Sequence, residues 1–307
     1  MRVAVTGASG FMGGVLARAL DAAGHEVFSY GQRRADQIGG PLPSYTQWNV
    51  VSVLSKKPAV DAVVHCAAKL GDWGAEDEYV RVNVEGTRRV LDTFSDAGRF
   101  IHVSSASVYS SDQSGQNLSE DASVGRGLHT AYARSKAAAE RMLAASGRDV
   151  IILRPHIVYG PGDTTLMPRV LAARRFGCLA VPGNGRNPVS VTHIGNFVHA
   201  VQRVLELKLS SGIFNIADAE APPVGELLDT LLAMNGAPTR LLFIPRSLAW
   251  GAAVASENAA KLLRRQTAPR LTRYLVTQVA DGHTLNLRRA FETLGYEPRH
   301  TFRDLLP

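Results

Sequence analysis

The chain has 307 residues, of which 45% are hydrophobic and 20% charged, a composition typical of an ordinary globular protein with one large domain and a smaller lobe. Its net charge of +7 comes from scattered lysines and arginines with no aromatic-interleaved basic run, so we do not expect a nucleic-acid partner. The two cysteines, Cys66 and Cys178, have no Cys or His neighbour at zinc-ligand spacing, which argues against disulfide and metal frameworks.

No signal peptide precedes the first strand-like segment, which begins at residue 2. The longest charge-free apolar stretch, near "SLAWGAAVAS", is too short to cross a bilayer. These features predict a cytoplasmic protein without an integral membrane segment.

Short β-branched runs alternate with helical patterns over residues 1–160: "RVAVTG", "HEVFSY", "DAVVHCAA", "RFIHVSS" and "DVIILRP". This order predicts an α/β fold, a doubly wound parallel sheet of the Rossmann type that binds a dinucleotide. Beyond residue 160 the alternation loosens and Gly, Pro and Asn cluster in loops. We therefore expect a smaller substrate-binding lobe over 161–307, with a segment at about 189–217 returning to the first domain.

The first strand leads directly into Gly7, Gly10 and Gly13, and a helix with an apolar face follows. Glycines at such a turn let the backbone approach a pyrophosphate, whose charge is stabilised by free N–H groups at the start of the helix. The spacing differs from Gly-x-Gly-x-x-Gly, and a tight turn without a ligand is the alternative. Because the motif lies between a strand and a helix, we predict dinucleotide binding.

The choice of cofactor depends on the end of the second strand, near Gly31. NAD-binding folds place a carboxylate there for the ribose 2′-hydroxyl, and this chain has none. Arg33 and Arg34 follow instead, and guanidinium groups suit a 2′-phosphate. We predict NADP (NADPH) rather than NAD, while Asp36 keeps NAD open and two arginines on a solvent loop are the alternative.

The helical stretch "HTAYARSKAAAERML" places Tyr132 and Lys136 one turn apart on one face. In isolation, such a pair is equally typical of an exposed amphipathic helix. A free tyrosine titrates near ~10, whereas proton donors work best near neutral pH. A lysine charge at about 4 Å contributes roughly 4 kcal/mol at an effective dielectric of about 20, enough for up to about three pKa units. We therefore expect Lys136 to lower the pKa of Tyr132.

Motifs distributed along most of the chain, in order, carry a resemblance: "TGASGFMG", "VVHCAA", "VNVEGT", "VSSASVY", "YARSK" and "LRPHIVYGPGD". The sequence resembles the extended short-chain dehydrogenase/reductase family, including NAD-dependent epimerases and dehydratases. Within it, "VPGNG", "VTHIGNFVHA", "LTRY" and "LGYEP" look most like the 3β-hydroxysteroid dehydrogenase-like branch, which includes 3-keto-acid and sterol-type reductases.

The resemblance implies catalytic roles for four residues. Ser105 matches the serine that hydrogen-bonds the reacting oxygen, Tyr132 the proton donor or acceptor, and Lys136 its partner, which also binds the cofactor ribose. Asn83 matches an asparagine that in some members belongs to a proton relay, and a plain helix-side hydrogen-bonder is the alternative. A hydride reaching a carbonyl carbon leaves negative charge on oxygen, so one group must protonate that oxygen and another must hold it.

The resemblance also implies the remaining cofactor contacts. The cofactor contacts already given are Gly7, Gly10, Gly13, Arg33, Arg34, Tyr132 and Lys136. The further contacts are Ser9, Phe11, Met12, Asn49, Val50, Ala67, Ala68, Lys69, Pro155 and Ile157. Members of the family commonly form homodimers through the helices that here bear Asn83 and Tyr132. The row Ala133, Ala137, Ala138 and Ala139 would permit close helix packing, and is equally explained by helix propensity.

We predict an NADP-dependent oxidoreductase that interconverts a ketone and a secondary alcohol on a hydrophobic small molecule of the 3β-hydroxysteroid or 3-keto-acid type. A nucleotide-sugar epimerase or dehydratase with tightly bound NAD is one alternative. A non-catalytic dinucleotide sensor is another.

Several further residues have both a structural and a functional interpretation. His129, His156 and His193 lie near the motifs, and Trp73 follows the "VVHCAA" strand, where a loop can reach the nicotinamide. The polar segment 110–128 precedes Tyr132 and is either a mobile lid or a passive surface loop.

Overall fold

The computed structural model describes residues 1–113, 115–265 and 267–305. A seven-stranded sheet with all strands parallel forms its centre, in the order β10-β6-β5-β4-β1-β2-β3. Its strands are β1 (Arg2–Thr6), β2 (Glu26–Gly31), β3 (Thr46–Gln47), β4 (Ala62–His65), β5 (Arg99–Val103), β6 (Val150–Pro155) and β10 (Gly212–Ile216). Two pairs lie outside it: β7 (Val158–Tyr159) with β9 (Thr192–His193), and β8 (Cys178–Pro182) with β11 (Arg240–Ile244).

The α-helices of the described residues are α1 (Phe11–Ala22), α2 (Glu76–Val80), α3 (Gly86–Thr93), α4 (Ala131–Ala144), α5 (Leu166–Ala173), α6 (Ile194–Glu206), α7 (Val224–Met234), α8 (Arg246–Leu262) and α9 (Arg273–Ala280). A π-helical turn, Arg81–Glu85, joins α2 to α3. Within the described residues, no helix has both the length and the apolar character needed to cross a bilayer.

Helices cover both faces of the main sheet. On one face, α1 and α6 pack through Leu16, Leu20 and Phe197. On the other, α3 and α4 pack through Leu91 and Leu143. Strands buried on both sides need near-continuous apolar sequence, and the "VVH" and "IIL" runs provide it. The predicted doubly wound parallel sheet is confirmed.

The C-terminal lobe is built around the β8·β11 pair, α5 and α7, with a core of its own that includes Val181 and Leu231. The chain leaves this lobe to form α6 on the sheet's face and β10 at the sheet's edge. A second return, which the sequence analysis does not predict, brings Ala290, Leu294 and Tyr296 into the same core as α1 and α6.

A buried ion pair fastens α4 to the sheet. The Arg154 guanidinium, at the end of β6, donates to both carboxylate oxygens of Glu140 at 3.0 and 2.6 Å, and the side chains are only 3% and 7% exposed. The Ser104 hydroxyl also donates to Glu140. Bidentate geometry and a third donor offset the cost of removing both charges from water.

Glu140→Gln should destabilise the protein by about 3–5 kcal/mol, because it leaves the Arg154 charge buried without a counter-charge. Urea unfolding measures this free energy. The matched control is Glu292→Gln, whose partner Arg288 is 3.9 Å away in an exposed pair, where at most about 1 kcal/mol is at stake. Equal effects from the two variants would contradict the assignment of a buried pair.

Candidate active site

The glycine-rich turn lies at the carboxyl end of β1, where the sequence places it. Gly7 has φ +74°, and a Cβ there would stand 2.6 Å from the backbone nitrogen of Ala67. A Cβ on Gly13 would stand 2.4 Å from the Gly7 carbonyl oxygen. Both positions exclude larger residues, because a side chain would collide with neighbouring backbone atoms, so the tight turn requires glycine here.

The start of α1 suits an anion. Gly10 caps the helix without a side-chain hydrogen bond, and the first turn contains no acidic residue. Free N–H groups and the helix dipole therefore present positive charge at this point. Ser9 belongs to the turn, and Phe11 and Met12 open the helix with both side chains half-buried.

The structure separates the two arginines that follow β2. The Arg33 guanidinium donates to the Ser9 carbonyl at 3.1 Å, and the Arg33 N–H lies 3.4 Å from the Ser9 hydroxyl. Arg34 instead pairs with Asp36 at 3.2 Å in an exposed contact. Arg33 is therefore fixed beside the glycine-rich turn, while Arg34 points its charge at a carboxylate of its own loop.

Two further groups of expected cofactor contacts also lie near this edge of the sheet. Asn49 and Val50 follow β3, with Asn49 exposed and Val50 buried beneath Gly86. Ala67, Ala68 and Lys69 follow β4, all half-buried, and this loop touches the glycine-rich turn at Gly7.

Pro155 and Ile157 lie at the end of β6. Pro155 is buried, and Ile157 is half-buried with φ +41°. A β-branched residue in the left-handed region is strained. This backbone turn directs the chain from the main sheet into β7.

Ser105 and Tyr132 come together although they lie on different elements. Ser105 follows β5 and caps a short turn by accepting from Ser107 N–H at 3.2 Å. Tyr132 is the second residue of α4, whose start is fixed by Thr130 accepting from Ala133 N–H at 3.1 Å. The Ser105 hydroxyl interacts with the Tyr132 phenol.

The pKa of Tyr132 is raised to about 12, because burial disfavours the phenolate, and the Ser105 hydroxyl opposes part of this rise. The nearby Tyr79 phenol raises the pKa further. The expectation that Lys136 lowers the pKa of Tyr132 is therefore wrong for this structure. The phenol is neutral near pH 7, which is the form that donates a proton.

Lys136 lies behind Tyr132 and is 2% exposed. Its ammonium donates to the Val103 carbonyl oxygen at 2.7 Å, at the end of β5. Burial lowers the pKa of Lys136 to about 8, while Cys66 and Glu140 favour its charged form. This hydrogen bond ties the ammonium to the end of β5.

Asn83 lies in the π-helical turn and clamps two parts of the site. Its side-chain oxygen accepts from Lys69 N–H at 2.7 Å, and its amide nitrogen donates to the Lys69 carbonyl at 3.1 Å and to the Ser135 hydroxyl at 2.8 Å. Both amide hydrogens are used, which fits a positioning role better than the proton relay that the resemblance allows. Asn83 joins the loop after β4 to α4.

A hydrogen-bonded chain beneath the cleft fixes the tautomer of His65. The Thr87 hydroxyl donates its only hydrogen to the Asn83 carbonyl at 2.7 Å, so it must accept from His65 Nε2 at 2.9 Å. Burial lowers the pKa of His65 to about 3, so the ring is neutral. His65 Nδ1 must then accept from Thr6, 2.7 Å away. This chain links β1, β4 and the π-helical turn.

Sequence reasoning missed two residues, Tyr274 and Asp72, where the C-terminal part of the chain meets the loop after β4. The Tyr274 phenol of α9 lies close enough to Tyr132 for their charges to interact, and burial raises its pKa. Asp72, in the loop after β4, bonds Arg169 at 2.9 Å and Thr272 at 3.0 Å. The "LTRY" motif includes Tyr274, but sequence alone does not show which way α9 faces.

The other candidates have structural partners. Trp73 donates to the Arg265 carbonyl at 3.0 Å, and the His129 ring lies 5.9 Å from that of Trp250 in an edge-on contact. His156 uses both ring nitrogens, toward Ser190 and Gln278, and His193 caps α6.

Segment 110–128 is anchored. Leu118 N–H donates to the Thr284 carbonyl at 2.8 Å, Asn286 N–H donates to the Leu118 carbonyl at 2.9 Å, and Ser110 N–H donates to the Ser123 carbonyl at 2.9 Å. Ser114 lies outside the described residues. For the described part, a fixed surface loop fits better than a lid.

The residues present fit a dinucleotide. A Cβ at Gly13 would collide with the backbone of the turn, the N–H groups at the start of α1 have no side-chain cap, and Arg33 and Asn49 lie at the same edge of the sheet. These groups would hold phosphates and the adenosine end, and Ala67, Ala68, Lys69, Tyr132 and Lys136 adjoin the place expected for the nicotinamide end.

The model of the NAD dependent epimerase/dehydratase family matches residues 3–217. A 2-alkyl-3-oxoalkanoate reductase of Stenotrophomonas maltophilia is 33% identical over 97% of this chain and 95% of its own length. The human decarboxylating sterol-4-alpha-carboxylate 3-dehydrogenase is 28% identical over 99% of this chain and 86% of its own. These matches confirm the predicted resemblance, including its 3β-hydroxysteroid dehydrogenase-like branch.

Among solved structures, MoeE5 in complex with UDP-glucose and NAD superposes with a TM-score of 0.75 at 25% identity. The match covers 99% of this chain and 95% of MoeE5. The fold is therefore that of NAD-binding relatives along nearly the whole chain.

Lys136→Met should change how stability depends on pH. The native pKa of about 8 lies below the ordinary 10.5, so between these values the unfolded state binds more protons and native stability rises with pH, by at most about 1.4 kcal/mol per unit. The variant lacks this rise, so its stability relative to the parent falls from pH 8 to pH 10. Urea unfolding across this range measures it.

The control is Lys56→Met, since Lys56 is exposed and its substitution should leave the pH dependence unchanged. A parallel pH profile for Lys136→Met and the parent would contradict the lowered pKa of Lys136.

Proposed function

The chain belongs to the NAD-dependent epimerase/dehydratase family and is an NAD(P)-dependent enzyme, and we propose that it reduces a ketone on a hydrophobic small molecule to a secondary alcohol with NADPH. The observation that carries the proposal is the interaction of the Ser105 hydroxyl with a neutral Tyr132 phenol. We assign substrate binding to the C-terminal lobe, whose α9 brings Tyr274 to this point.

The side chains have complementary tasks in this reaction. A bound nicotinamide supplies the hydride to the carbonyl carbon. Ser105 donates a hydrogen bond that holds the carbonyl oxygen, and Tyr132 gives that oxygen its proton as negative charge develops there. A raised pKa keeps the phenol protonated before the reaction. An alkoxide is a far stronger base than a phenolate, so the proton transfer remains downhill, and the protonated phenol is the form that ketone reduction requires.

Lys136 and Asn83 support this pair. Lys136 has a buried ammonium whose pKa lies near neutrality, which suits a group that binds a ribose hydroxyl and returns a proton toward Tyr132. Asn83 keeps the loop of Lys69 and helix α4 in register. We propose Asn83 as a positioning residue.

The proposed substrate class is a 3-keto acid with an alkyl substituent. Support comes from the 33% identical relative, which is named a 2-alkyl-3-oxoalkanoate reductase. The sterol-4-alpha-carboxylate 3-dehydrogenase is named for a similar substrate, in which the reacting position 3 is next to a carboxylate at position 4. The experiment is NADPH and NADH consumption against 2-alkyl-3-oxoalkanoates, ketosteroids and nucleotide sugars. Turnover of the first class is expected; stoichiometric copurified NAD with activity on nucleotide sugars would overturn the proposal.

Tyr132→Phe should reduce turnover by about 10²–10⁴-fold, because the proton donor is lost. NADPH affinity should stay within about threefold of the parent, since the ring and Lys136 remain. Steady-state kinetics and fluorescence titration with NADPH measure the two effects. Tyr296→Phe is the matched control, because Tyr296 bonds the Ala217 carbonyl at 2.8 Å away from the cleft; unchanged turnover in Tyr132→Phe would reject the mechanism.

We propose NADP over NAD on the position of Arg33. Its guanidinium is fixed on the Ser9 carbonyl next to the glycine-rich turn, and the described loop after β2 places no carboxylate against it. Arg34 is already paired with Asp36. The two arginines thus have different partners, which supports assigning the 2′-phosphate to Arg33.

Arg33→Gln should raise the KM for NADPH by about tenfold or more and leave the KM for NADH nearly unchanged, because a charge-assisted hydrogen bond to the 2′-phosphate is lost. Arg34→Gln is the matched control and should change either KM by less than about threefold. A larger effect of Arg34→Gln than of Arg33→Gln would assign the phosphate to the other arginine.

We also propose a homodimer through the helices bearing Asn83 and Tyr132, as the family resemblance implies. Of the four alanines that would permit close helix packing, Ala133, Ala137 and Ala139 are already buried within this chain. Only Ala138 is partly exposed and could contact a second copy. Sedimentation at micromolar concentration should give twice the chain mass, and a monomer mass would contradict the proposal.

A further inference from the structure

Helix α8 presents an uncharged, apolar face to solvent along its whole length. Its inner positions, Ala249, Ala253, Glu257 and Ala260, are buried. Five exposed residues recur every three or four positions and therefore form a stripe along the outer face of the helix: Leu248, Ala252, Ala255, Ala259 and Leu262. Leu248 and Leu262 are 66% and 85% exposed, and Leu263, just beyond the helix, is 63% exposed. The stripe has no packing partner within the described chain.

Charge is absent from this face. Between Arg246 and Lys261, the helix has one charged side chain, Glu257. That carboxylate is buried and accepts from the Arg273 backbone at 2.7 Å and guanidinium at 2.9 Å. A surface helix of a monomer ordinarily carries charge on its outer side, so the pattern is unusual.

A basic cluster surrounds the end of the same helix. It consists of Lys261, Arg264, Arg265 and Arg270, all exposed, and none forms an ion pair in the part of the chain that the structure describes. The end is ordered: Arg264 N–H donates to the Lys261 carbonyl at 3.0 Å and Arg265 N–H to the Ala260 carbonyl at 2.9 Å. Leu262 and Leu263 therefore project from within a fixed group of cations.

The inner side of α8 lies over the cleft. Trp250 contacts His129, and the Trp73 indole, in the loop after β4, donates to the Arg265 carbonyl at 3.0 Å. Glu257 holds Arg273, the residue before Tyr274. The exposed stripe is thus the outer side of a helix whose inner side contacts the segments next to Tyr132 and Tyr274.

We propose that α8, together with residues 263–265 and 267–270, forms a docking surface for an anionic lipid bilayer. The leucines would enter the headgroup boundary and the four cations would meet lipid phosphates, the arrangement of an interfacial amphipathic helix. A second copy of the chain is a poorer occupant, because this face offers no acidic side chain to receive the cations and each chain has a net charge of +7. The docking does not depend on the proposed ketone reduction.

Cosedimentation of the full chain with vesicles tests the proposal. Vesicles of phosphatidylcholine with one third phosphatidylglycerol should bind the protein at low salt, pure phosphatidylcholine should bind it far less, and high salt should release it. The triple variant Lys261→Gln/Arg264→Gln/Arg265→Gln should lose about 100-fold in partition, since each charge near the surface contributes about fivefold. The double variant Leu262→Ser/Leu263→Ser should also bind more weakly.

Matched controls remove similar groups elsewhere. Arg18→Gln/Lys208→Gln/Arg288→Gln takes away three exposed charges, and Val53→Ser/Phe291→Ser takes away two exposed apolar side chains; both should bind vesicles like the parent. NADPH binding should be intact in every variant, which separates this test from that of the proposed function.

Three outcomes would overturn the proposal. Absence of parent binding to anionic vesicles is the first, and equal losses in test and control variants is the second. A change of solution mass in the α8 variants without a change in vesicle binding is the third, since it would assign the face to a second copy.

Discussion

The buried ion pair between Arg154 and Glu140 is the constraint on which the site depends. It joins the end of β6 to α4, the helix that carries Tyr132 and Lys136. Glu140 lies one turn beyond Lys136 and favours its charged form, so the same carboxylate that fastens the helix also supports a buried ammonium. A buried ion pair resists displacement because separating the two groups would leave each charge buried without a counter-charge.

Near that pair, hydrogen bonds between neutral side chains connect the ends of β1 and β4 to α4. Thr6, His65 and Thr87 connect β1 and β4 to the carbonyl of Asn83, and the Asn83 side chain connects Lys69 to Ser135. The π-helical turn at Arg81–Glu85 places this side chain between the loop and α4. π-Turns inside helices are frequent at functional sites, and here the turn supplies a clamp between the cofactor loop and the helix of Tyr132.

Asp72 ties the loop after β4 to the C-terminal part of the chain, because it accepts from both Arg169 and Thr272. The same contacts bring α9, with Tyr274, toward Tyr132. Three phenols, Tyr79, Tyr132 and Tyr274, therefore share a poorly solvated region, and their proximity raises the pKa of each candidate proton donor. Helix α8 stands outside this layer, with its inner face on the cleft and its outer face in solvent.

The catalytic roles of Ser105, Tyr132 and Lys136 were implied by the family resemblance and stay predictions. The sequence by itself determined the parallel sheet, the glycine-rich turn and the placing of Tyr132 and Lys136 one turn apart on a helix. Those features are encoded in contiguous patterns: apolar strand runs, glycines between a strand and a helix, and a four-residue spacing on one helical face. Only the tertiary structure decided the direction of the Tyr132 pKa shift, the tie between Lys136 and Val103, the different partners of Arg33 and Arg34, and the anchoring of segment 110–128. The physical reason is that burial and hydrogen-bond partners depend on residues from distant segments, such as Tyr79, Ser9 and Thr284. A local sequence pattern does not show which distant residues come close in the folded chain.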